Sequence, residues 1–444
     1  MSRKRRRRGV SLGSVLMILV TALVVAAFVV FLLAIVGEDV YERTGALIHM
    51  LSEQGLFDRA QDEPTPAPLT TAAPQAQNGF VMAFAQEDAA SPEVQVSSVS
   101  SFTLAAAGTV CAPRAVRTSA EDGAGGYDFE AVFAGLGNAL GGADLTIATL
   151  ETATAGEERG YGSYNAPPEL LDALRSRGVN VLALATERAL DKGYDGLQIT
   201  MREMTSRSLG CAGIIAQEGD SGAEVLRLGG MQVAVLAYSY GISDEGREQT
   251  NADERGMVAL IDEARMIRDI TNARLNGANV VIVLPHWGTK NRLETPQDVR
   301  ELAVRLAEAG ADVILGAHPN VVQETERLSV TRSDGLTYDA VVCYSLGCLL
   351  TDARTPENTA GMIARLTVSY DPGTRRVSLG DLACTPVYIA CQREGEENVY
   401  RVVDVENATA MASLTQEENA AAMAAAKTVR DVTGQSAREE AGEG

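Results

Sequence analysis

The sequence predicts an α/β domain, with helices packed outside a core of β-sheet, over about residues 102–405. Two observations support this fold class. Short apolar runs, many of them rich in β-branched residues, alternate with segments in which apolar residues recur with helical spacing. One alternation, between Val280 and Leu315, has the order strand, helix, strand that defines a βαβ unit. The two strands of this unit should therefore be parallel.

The βαβ unit contains two of the three histidines in the chain. Val280–Leu284 leads into His286, and after an amphipathic helix Val313–Leu315 leads into His318. The carboxyl ends of parallel strands lie at the same edge of a sheet, where ligands of α/β proteins gather. We therefore expect the two imidazoles to converge, and they are the first candidates for a functional site.

The remaining elements of the domain follow from the same patterns. The strands predicted before the βαβ unit are Phe102–Ala106, Leu145–Ala148, Asn180–Leu184 and a hairpin of Val225–Leu228 with Met231–Ala237. The strands predicted after it are Ala340–Tyr344 and an edge pair, Ala364–Tyr370 with Arg376–Leu379. Further helices are predicted over Pro168–Gly178, around Leu197–Met204 and over Met257–Asn276.

Residues 10–36 contain no charged side chain and are long enough to cross the roughly 30 Å hydrocarbon core of a bilayer. A transmembrane helix is predicted, since the apolar region of a cleaved signal peptide would span only about 7 to 15 residues. The basic segment 1–9 precedes this span and acidic residues follow it, which keeps the amino end in the cytoplasm. The chain is therefore predicted to be a single-pass protein of the cell membrane, anchored by Val10–Val36, with its main domain outside the cytoplasm.

The segments on either side of the domain differ from it in composition. Residues 37–101 are predicted to form a juxtamembrane segment and a flexible stalk rich in Pro, Ala, Thr, Gln and Ser. Residues 406–444 are rich in Ala and Glu; a helix is expected at their centre, but they offer little to bury and are interpreted as a tail. The formal net charge of −21 argues against nucleic acid as a partner. Cys384 and Cys391 are close enough in sequence either to bridge or to remain thiols.

Polar residues follow six of the predicted strands in an order that can be compared with a known family. The motifs are Gly108-Thr109, Thr149-Leu150-Glu151, Ala185-Thr186-Glu187-Arg188, His286-Trp287-Gly288, Gly316-Ala317-His318-Pro319-Asn320 and Tyr344-Ser345-Leu346-Gly347. Together they resemble the CapA family, the poly-gamma-glutamate capsule synthesis proteins, over about residues 102–370. The domain of that family is similar to calcineurin-like metallophosphoesterases. The resemblance therefore implies a four-layer α/β/β/α sandwich of metallophosphoesterase type, facing outward from a membrane anchor.

The chain departs from that family at most of the positions that would bind metal. The replacements are Thr109 for an Asp, Arg188 for a His, Lys290 for a Glu, Asn320 for a His and Cys348 for an Asn. Of the metal-binding set that the resemblance implies, Glu151, His286 and His318 remain.

A two-metal phosphoesterase centre needs enough anionic and imidazole ligands to hold two cations about 4 Å apart. Arg188 would instead place a permanent positive charge at a ligand position, because a guanidinium keeps its proton. We therefore expect no cofactor, with the two histidines as metal-free relics. Two alternatives stay open: a single divalent ion, zinc or manganese, held by Glu151, His286 and His318, and a rearranged site that recruits Cys348 or Cys111.

The sequence supports two functional hypotheses and leaves enzyme activity uncertain, with the replaced ligands arguing against it. In the first, a non-catalytic domain binds or scaffolds an anionic envelope polymer, such as poly-gamma-glutamate or a teichoic-type phosphate polymer, or it binds capsule-assembly proteins. In the second, a hydrolase or transferase of CapA type acts in poly-gamma-glutamate capsule biosynthesis through a reduced metal site, with His286 and His318 as candidate catalytic residues. The candidate substrate-binding residues are Arg188, Lys290, Asn320, Glu187 and Ser345.

Overall fold

Two β-sheets form the centre of the fold, which confirms the predicted α/β class. The computed structural model describes residues 99–162, 164–217, 219–395 and 397–435. The predicted cytoplasmic segment, transmembrane helix and nearly all of the predicted stalk lie outside the described residues. Within the part of the chain that is described, no helix is both long and apolar enough to cross a membrane.

The strands and helices of the described residues are numbered in chain order. The strands are β1 Ser100–Val110, β2 Leu145–Leu150, β3 Val181–Ala183, β4 Gly210–Ala212, β5 Glu224–Leu228, β6 Met231–Ser239, β7 Val280–His286, β8 Val313–Leu315, β9 Thr325–Thr331, β10 Thr337–Cys343, β11 Cys348–Leu350, β12 Ala360–Asp371, β13 Arg376–Leu379, β14 Ala383–Glu394 and β15 Glu397–Asp404. The α-helices are α1 Arg114–Ser119, α2 Phe129–Phe133, α3 Glu169–Ser176, α4 Gly193–Ser206, α5 Asp244–Gln249, α6 Ala252–Arg255, α7 Glu263–Leu275, α8 Gln297–Ala309, α9 Ala408–Ala412 and α10 Gln416–Thr433.

The first sheet runs in the order β15-β14-β12-β1-β2-β3-β4, with β11 beside β1 and β13 beside β12. Its strands β1 to β4 are parallel to their neighbours in that series. Strand β12 pairs antiparallel with β1 and with β14, and β14 pairs antiparallel with β15. The second sheet runs in the order β5-β6-β7-β8-β10-β9. As predicted, β7 and β8 are parallel neighbours, and α8 lies between them in the chain.

Side chains of the second sheet alternate between two cores, because successive residues of a strand point to opposite faces. In β7, Val280, Ile282 and Leu284 belong to the core that includes the first sheet. Val281 and Val283 belong to a second core, formed with α7 and α8. Helices α1, α2, α3 and α10 also contribute residues to the core that includes the first sheet. Both faces of β7 are therefore buried.

The carboxyl-terminal segment is folded, which corrects the expectation of a tail with little to bury. Two strands that the sequence patterns did not predict, β14 and β15, extend the first sheet. Helix α10 then packs on β14 and β12, and Ala422, Ala426 and Val429 are fully buried. Alanine offers little apolar area, but its small side chain lets a helix approach a sheet closely. Residues 406–435 are therefore part of the folded domain.

Helix α7 is shorter than the helix predicted over Met257–Asn276. After a turn at Met257, residues 258–261 run extended instead, and the amide of Ile261 donates to the carbonyl oxygen of Ser239 at 2.8 Å. The helix begins at Glu263 because the carboxylate of Asp262 caps it, accepting a hydrogen bond from the amide of Arg265 at 2.8 Å.

Cys384 and Cys391 do not bridge each other. Both lie in β14, where a separation of seven residues places their side chains on opposite faces and roughly 23 Å apart along the strand. Of the two alternatives for this pair, the structure favours two thiols.

The packing of α10 can be tested with two alanines of the same helix. Ala426 is fully buried and Ala424 is exposed. Ala426→Asp should lower the free energy of unfolding by about 2 to 4 kcal/mol, because it buries a charge without a partner. Ala424→Asp should cost less than about 1 kcal/mol, mainly through helix propensity. Urea unfolding of the purified protein measures both, and equal small effects would restore the interpretation as a tail.

Candidate functional site

The carboxyl ends of strands from both sheets meet at one edge of the domain. The amide of Thr109, near the end of β1, donates to the carbonyl oxygen of Gly347 at 3.0 Å. Glycines permit this close approach: a Cβ on Gly108 would lie 2.2 Å from the same oxygen, and a Cβ on Gly316 would lie 1.9 Å from the carbonyl oxygen of Tyr344. The polar residues that follow these strands are thereby brought together.

His286 and His318 converge as predicted. Nδ1 of His318 lies 3.3 Å from Nε2 of His286, and the ring centroids are 4.8 Å apart. Burial lowers the pKa of His318 to about 4 and holds the pKa of His286 well below its usual 6.5, an effect to which the neighbouring His318 adds. Both imidazoles are therefore neutral near pH 7.

The backbone at His318 is strained. This residue has a φ of +94°, which residues other than glycine rarely adopt, and Asn320 has a φ of +60°. Asn358 holds the segment. Its side-chain nitrogen Nδ2 donates to the backbone carbonyl oxygen of Asn320 and to the side-chain oxygen of Asn291, each at 2.9 Å. Strained backbone of this kind concentrates at functional sites.

Glu151 follows β2 directly and reaches the histidine pair. Its Oε2 lies 3.9 Å from Nε2 of His286, and because His286 is neutral this contact is not an ion pair near pH 7. Burial, reinforced by the charge of Glu187, raises the pKa of Glu151 from 4.5 to about 7. A substantial fraction of the Glu151 carboxyl groups is therefore protonated near neutral pH.

Arg188 lies beside Glu151, as its position in the sequence predicts. Its Nε is 3.6 Å from Oε1 of Glu151, Nη1 is 3.0 Å from Oδ2 of Asp191, and Nη2 is 3.8 Å from Oε1 of Glu187. The guanidinium carbon also lies 3.5 Å from the ring centroid of Tyr164. A fixed cation is thus placed among three carboxyl groups.

Lys290 brings a second fixed cation to the same place. Its ammonium pairs with Glu187, whose other carboxylate oxygen accepts a hydrogen bond from the hydroxyl of Tyr240. Burial alone would raise the pKa of Glu187, but the hydrogen bonds from Lys290 and Tyr240 outweigh it and hold the pKa below its usual 4.5. The side chains of Lys290 and Arg188 are 38% and 19% exposed, so a ligand at the surface can reach both.

Two other predicted binding residues differ in their placement. Ser345 is fully buried, and its hydroxyl accepts a hydrogen bond from the amide of Gly347 at 3.3 Å; its role as a substrate-binding residue stays a prediction. Asn320 is partly exposed and remains near the site, with its side-chain oxygen 3.7 Å from Sγ of Cys348.

The cysteines considered as alternative ligands lie at the floor of the site. Sγ of Cys111 is 3.6 Å from the carbonyl oxygen of Glu151, and Sγ of Cys348 is 3.8 Å from that of Asn320. Burial raises the pKa of both thiols well above the usual value, so each is protonated and donates to a backbone oxygen. In this arrangement they complete the packing of the strand ends.

The donor set does not fit the two-metal centre that the resemblance implies. Divalent cations would share the site with the guanidinium of Arg188 and the ammonium of Lys290, which already pair with Glu187 and Asp191. Across the described residues, no group of three or more His, Cys, Asp or Glu side chains is arranged to hold a metal ion.

Two residues of the site, Tyr240 and Tyr164, were not predicted from the sequence. Tyr240 follows β6, which is parallel to β7, so the strand-end argument that selected His286 applies to it as well. Its ring centroid lies 4.3 Å from that of His318. Tyr164 lies in a loop, and no periodic signal in the sequence places it beside Arg188.

The fold and the site together define an α/β domain in which polar residues follow the ends of the strands. Arg188 and Lys290 lie there among carboxyl groups. The chain belongs to the family described as "Bacterial capsule synthesis protein PGA_cap", whose profile matches residues 103–353. It is similar to the PGA biosynthesis protein CapA of Bacillus subtilis (strain 168), with 26% identity over 193 residues that cover 41% of this chain and 46% of that protein. It is also similar to the capsule biosynthesis protein CapA of Bacillus anthracis, with 24% identity over 196 residues, 42% of this chain and 44% of that protein. The matches thus span less than half the length of each relative.

Similar solved structures include the calcineurin-like phosphoesterase YfkN from Bacillus subtilis, with a TM-score of 0.40 and 10% identity over 75% of this chain and 98% of that one. The NAD nucleotidase (NadN) of Haemophilus influenzae gives a TM-score of 0.41 and 12% identity over 74% of this chain and 56% of that one. At these values the similarity concerns the general fold alone.

The raised pKa of Glu151 predicts a specific pH dependence of stability. Between pH 4.5 and about 7 the unfolded chain loses the Glu151 proton while the folded protein keeps it, so this group's contribution to stability falls as pH rises. Glu151→Gln removes that loss and should stabilise the protein at pH 8 by about 2 to 3 kcal/mol, with little effect below pH 4.5. Urea unfolding of both proteins across this range measures the difference, and a flat or reversed dependence would contradict the assignment.

Proposed function

We propose that this chain is a membrane-anchored, outward-facing member of its family that binds or scaffolds an anionic envelope polymer during capsule or cell-wall assembly, without catalysis. The observation that carries the proposal is the position of Arg188 and Lys290 among Glu151, Glu187 and Asp191. Fixed side-chain cations there neutralise the carboxylates that a metalloenzyme of this fold would use for metal ions.

The loss of catalysis follows from charge and coordination. A metal-bound water needs a cation that lowers its pKa and an open coordination position. Arginine and lysine supply positive charge and hydrogen-bond donors, but they do not ligate water or polarise it as a Lewis acid. The site is therefore better suited to holding an anion in place than to activating a nucleophile.

An anionic ligand would meet the exposed parts of the two cationic side chains at the protein surface. Both already pair with carboxylates, so a ligand carboxylate or phosphate has to share donors with Glu187 and Asp191. Arg188 has five N–H donors, so it can donate to a ligand while it stays paired with a carboxylate. Binding of a ligand to the exposed ammonium of Lys290 should weaken as the salt concentration rises. Repeated carboxylates along a polymer would compensate for modest affinity at each contact.

The proposed membrane anchor and the proposed polymer ligand are supported by different observations. The uncharged segment 10–36 and the basic segment 1–9 favour a single cytoplasm-to-exterior crossing, with residues 37–98 as a spacer to a four-layer domain of metallophosphoesterase type. A polyanion of the poly-gamma-glutamate kind is favoured because the family and its relatives are described by capsule and PGA biosynthesis. The acidic composition of the chain makes nucleic acid an unsuitable partner.

One observation favours the alternative, a CapA-type hydrolase or transferase with a single metal ion. Oε2 of Glu151 and Nδ1 of His286 are buried and have no hydrogen-bond partner among the described residues. Buried polar atoms are usually satisfied by water or by a ligand. A zinc or manganese ion at Glu151, His286 and His318 would satisfy Oε2 of Glu151, in competition with the repulsion from Arg188. It would bind Nε2 of His286, which faces Glu151 and His318, and would leave Nδ1 to another partner.

Anion binding predicts protection against heat that depends on Arg188. Oligo-gamma-glutamate should raise the melting temperature of the full-length protein at low salt, and added salt should reduce this shift. Arg188→Ala should weaken the protection by about 1 to 3 kcal/mol, the loss expected for a charge-assisted hydrogen bond. Differential scanning calorimetry with and without the oligomer measures the effect.

Arg207 provides the matched control. Its side chain is also 19% exposed and also pairs with carboxylates, those of Asp172 and Glu203, but it lies outside the site at the end of α4. Arg207→Ala should keep the full ligand-dependent shift. Absence of any shift in the unsubstituted protein, or equal losses in both variants, would count against an anion site at Arg188.

A further inference from the structure

Two loops at the site have left-handed backbone and lie against each other. Asn291, which follows Lys290 directly, has a φ of +59°, and Asn320 has a φ of +60°. The amide of Asn291 donates to the carbonyl oxygen of Pro319 at 2.8 Å. Asparagine enters the left-handed region more readily than most residues, but it does not prefer this region to the right-handed one. A contact from outside the two loops is therefore needed to fix their conformation.

Asn358 supplies that contact. It lies in the loop between β11 and β12, is 4% exposed, and donates from Nδ2 to Oδ1 of Asn291 and to the carbonyl oxygen of Asn320. Its Oδ1 accepts a hydrogen bond from the hydroxyl of Thr355, and the same hydroxyl oxygen accepts one from the amide of Asn358 at 3.4 Å. Both donor positions and the acceptor oxygen of this side chain are thus used, which fixes its orientation.

The loop that carries Asn358 is itself attached to the first sheet and to α10. Nη1 of Arg354 donates to the carbonyl oxygen of Ile389 in β14 at 2.7 Å, and Nη2 lies 3.6 Å from Oε1 of Glu418 in α10. The same carboxylate oxygen accepts a hydrogen bond from the amide of Cys391 at 3.1 Å. Because these contacts join it to packed secondary structure, Asn358 can serve as a fixed point for the two loops.

Asn291 connects this fixed point to the charge of the site. The ammonium of the preceding residue, Lys290, pairs with Glu187. A lysine side chain is long and flexible, so forming an ion pair costs it conformational entropy. The cost is smaller when the backbone from which the side chain extends is already held in place. Fixing Asn291 therefore favours the pair between Lys290 and Glu187.

We propose that Asn358 is the positioning residue of the site: by clamping Asn291 against Asn320, it holds Lys290 on Glu187. Since Asn358 is buried, it acts through the two loops and not by contact with a ligand. This inference rests on the proposed function in so far as Lys290 serves an anionic ligand, but the clamp itself can be tested without any ligand.

The first test measures how fast Lys290 of the full-length protein is acetylated by the N-hydroxysuccinimide ester of acetic acid. Only the neutral amine attacks the ester; the new C–N bond forms as N-hydroxysuccinimide leaves, and the proton passes to water. Pairing with Glu187 keeps the amine protonated and slows the reaction. Asn358→Ala should raise the rate constant of Lys290 by about 3- to 10-fold, which corresponds to the loss of one hydrogen bond of ordinary net strength. Peptide mass spectrometry measures it, and Lys192 and Lys427 should keep their rates.

Asn291→Gly is the second variant, because glycine adopts a φ of +59° freely and the substitution removes the Oδ1 that accepts from Asn358. It should raise the rate of Lys290 by a similar factor. The combination of Asn358→Ala with Asn291→Gly should add little further, since both remove the same contact.

Asn407→Ala is the matched control. Nδ2 of Asn407 also donates to a backbone carbonyl oxygen, that of Gly135 at 3.4 Å, and its Oδ1 accepts from amides at the start of α9, outside the site. This variant should leave the rate of Lys290 unchanged, whatever its effect on the free energy of unfolding. An unchanged rate in both Asn358→Ala and Asn291→Gly, or an equal rise in Asn407→Ala, would overturn the clamp.

Oligo-gamma-glutamate separates this inference from the proposed function. Asn358→Ala should weaken the salt-sensitive part of its protection against heat about as much as Lys290→Ala does, and the double variant should lose no more than Lys290→Ala alone. Full protection in Asn358→Ala would overturn a role of the clamp in ligand binding. A faster Lys290 in both clamp variants, without any protection of the unsubstituted protein by the oligomer, would support the clamp and count against the proposed function.

Discussion

The site depends on one interaction, the contact of the Arg188 guanidinium with the carboxyl groups of Glu151, Glu187 and Asp191. These groups meet because parallel strands of two sheets end at the same edge, which is a property of the fold and not of any ligand. Carboxylates gathered in this way repel one another and need positive charge between them. In a metallophosphoesterase the charge comes from metal ions; here Arg188, with Lys290 beside Glu187, provides it from the chain itself.

This substitution changes what the rest of the site can do. With the negative charge balanced, burial dominates the remaining groups: the two histidines stay neutral and Glu151 retains its proton up to about pH 7. A buried ion pair is a weak source of stability but a strong constraint on geometry, because either partner left alone is costly. Arg188 therefore constrains the geometry of the strand ends that it contacts.

Much of this arrangement could be predicted from the sequence, because it depends on local patterns. Apolar runs ending in His286 and His318 were sufficient to place both imidazoles at one sheet edge. The burial of Ser345 could not be predicted, because a strand end does not reveal which way a side chain turns. The burial of Ala426 was missed because a small side chain gives no apolar signal, although it suits a helix packed closely on a sheet. Tyr164 lies beside Arg188 through a loop, and loop paths are set by tertiary contacts that sequence periodicity does not encode.

The claim that Arg188 and Lys290 take the place of metal ions is tested most directly by the metal content of the protein. Full-length protein purified without chelators should carry well under one equivalent of zinc, manganese or iron by elemental analysis, and it should not hydrolyse simple phosphoesters. His286→Ala and His318→Ala should then change stability without any metal-dependent component. A stoichiometric metal that disappears in both variants would contradict the account, and two equivalents with phosphodiesterase activity would establish a metalloenzyme instead.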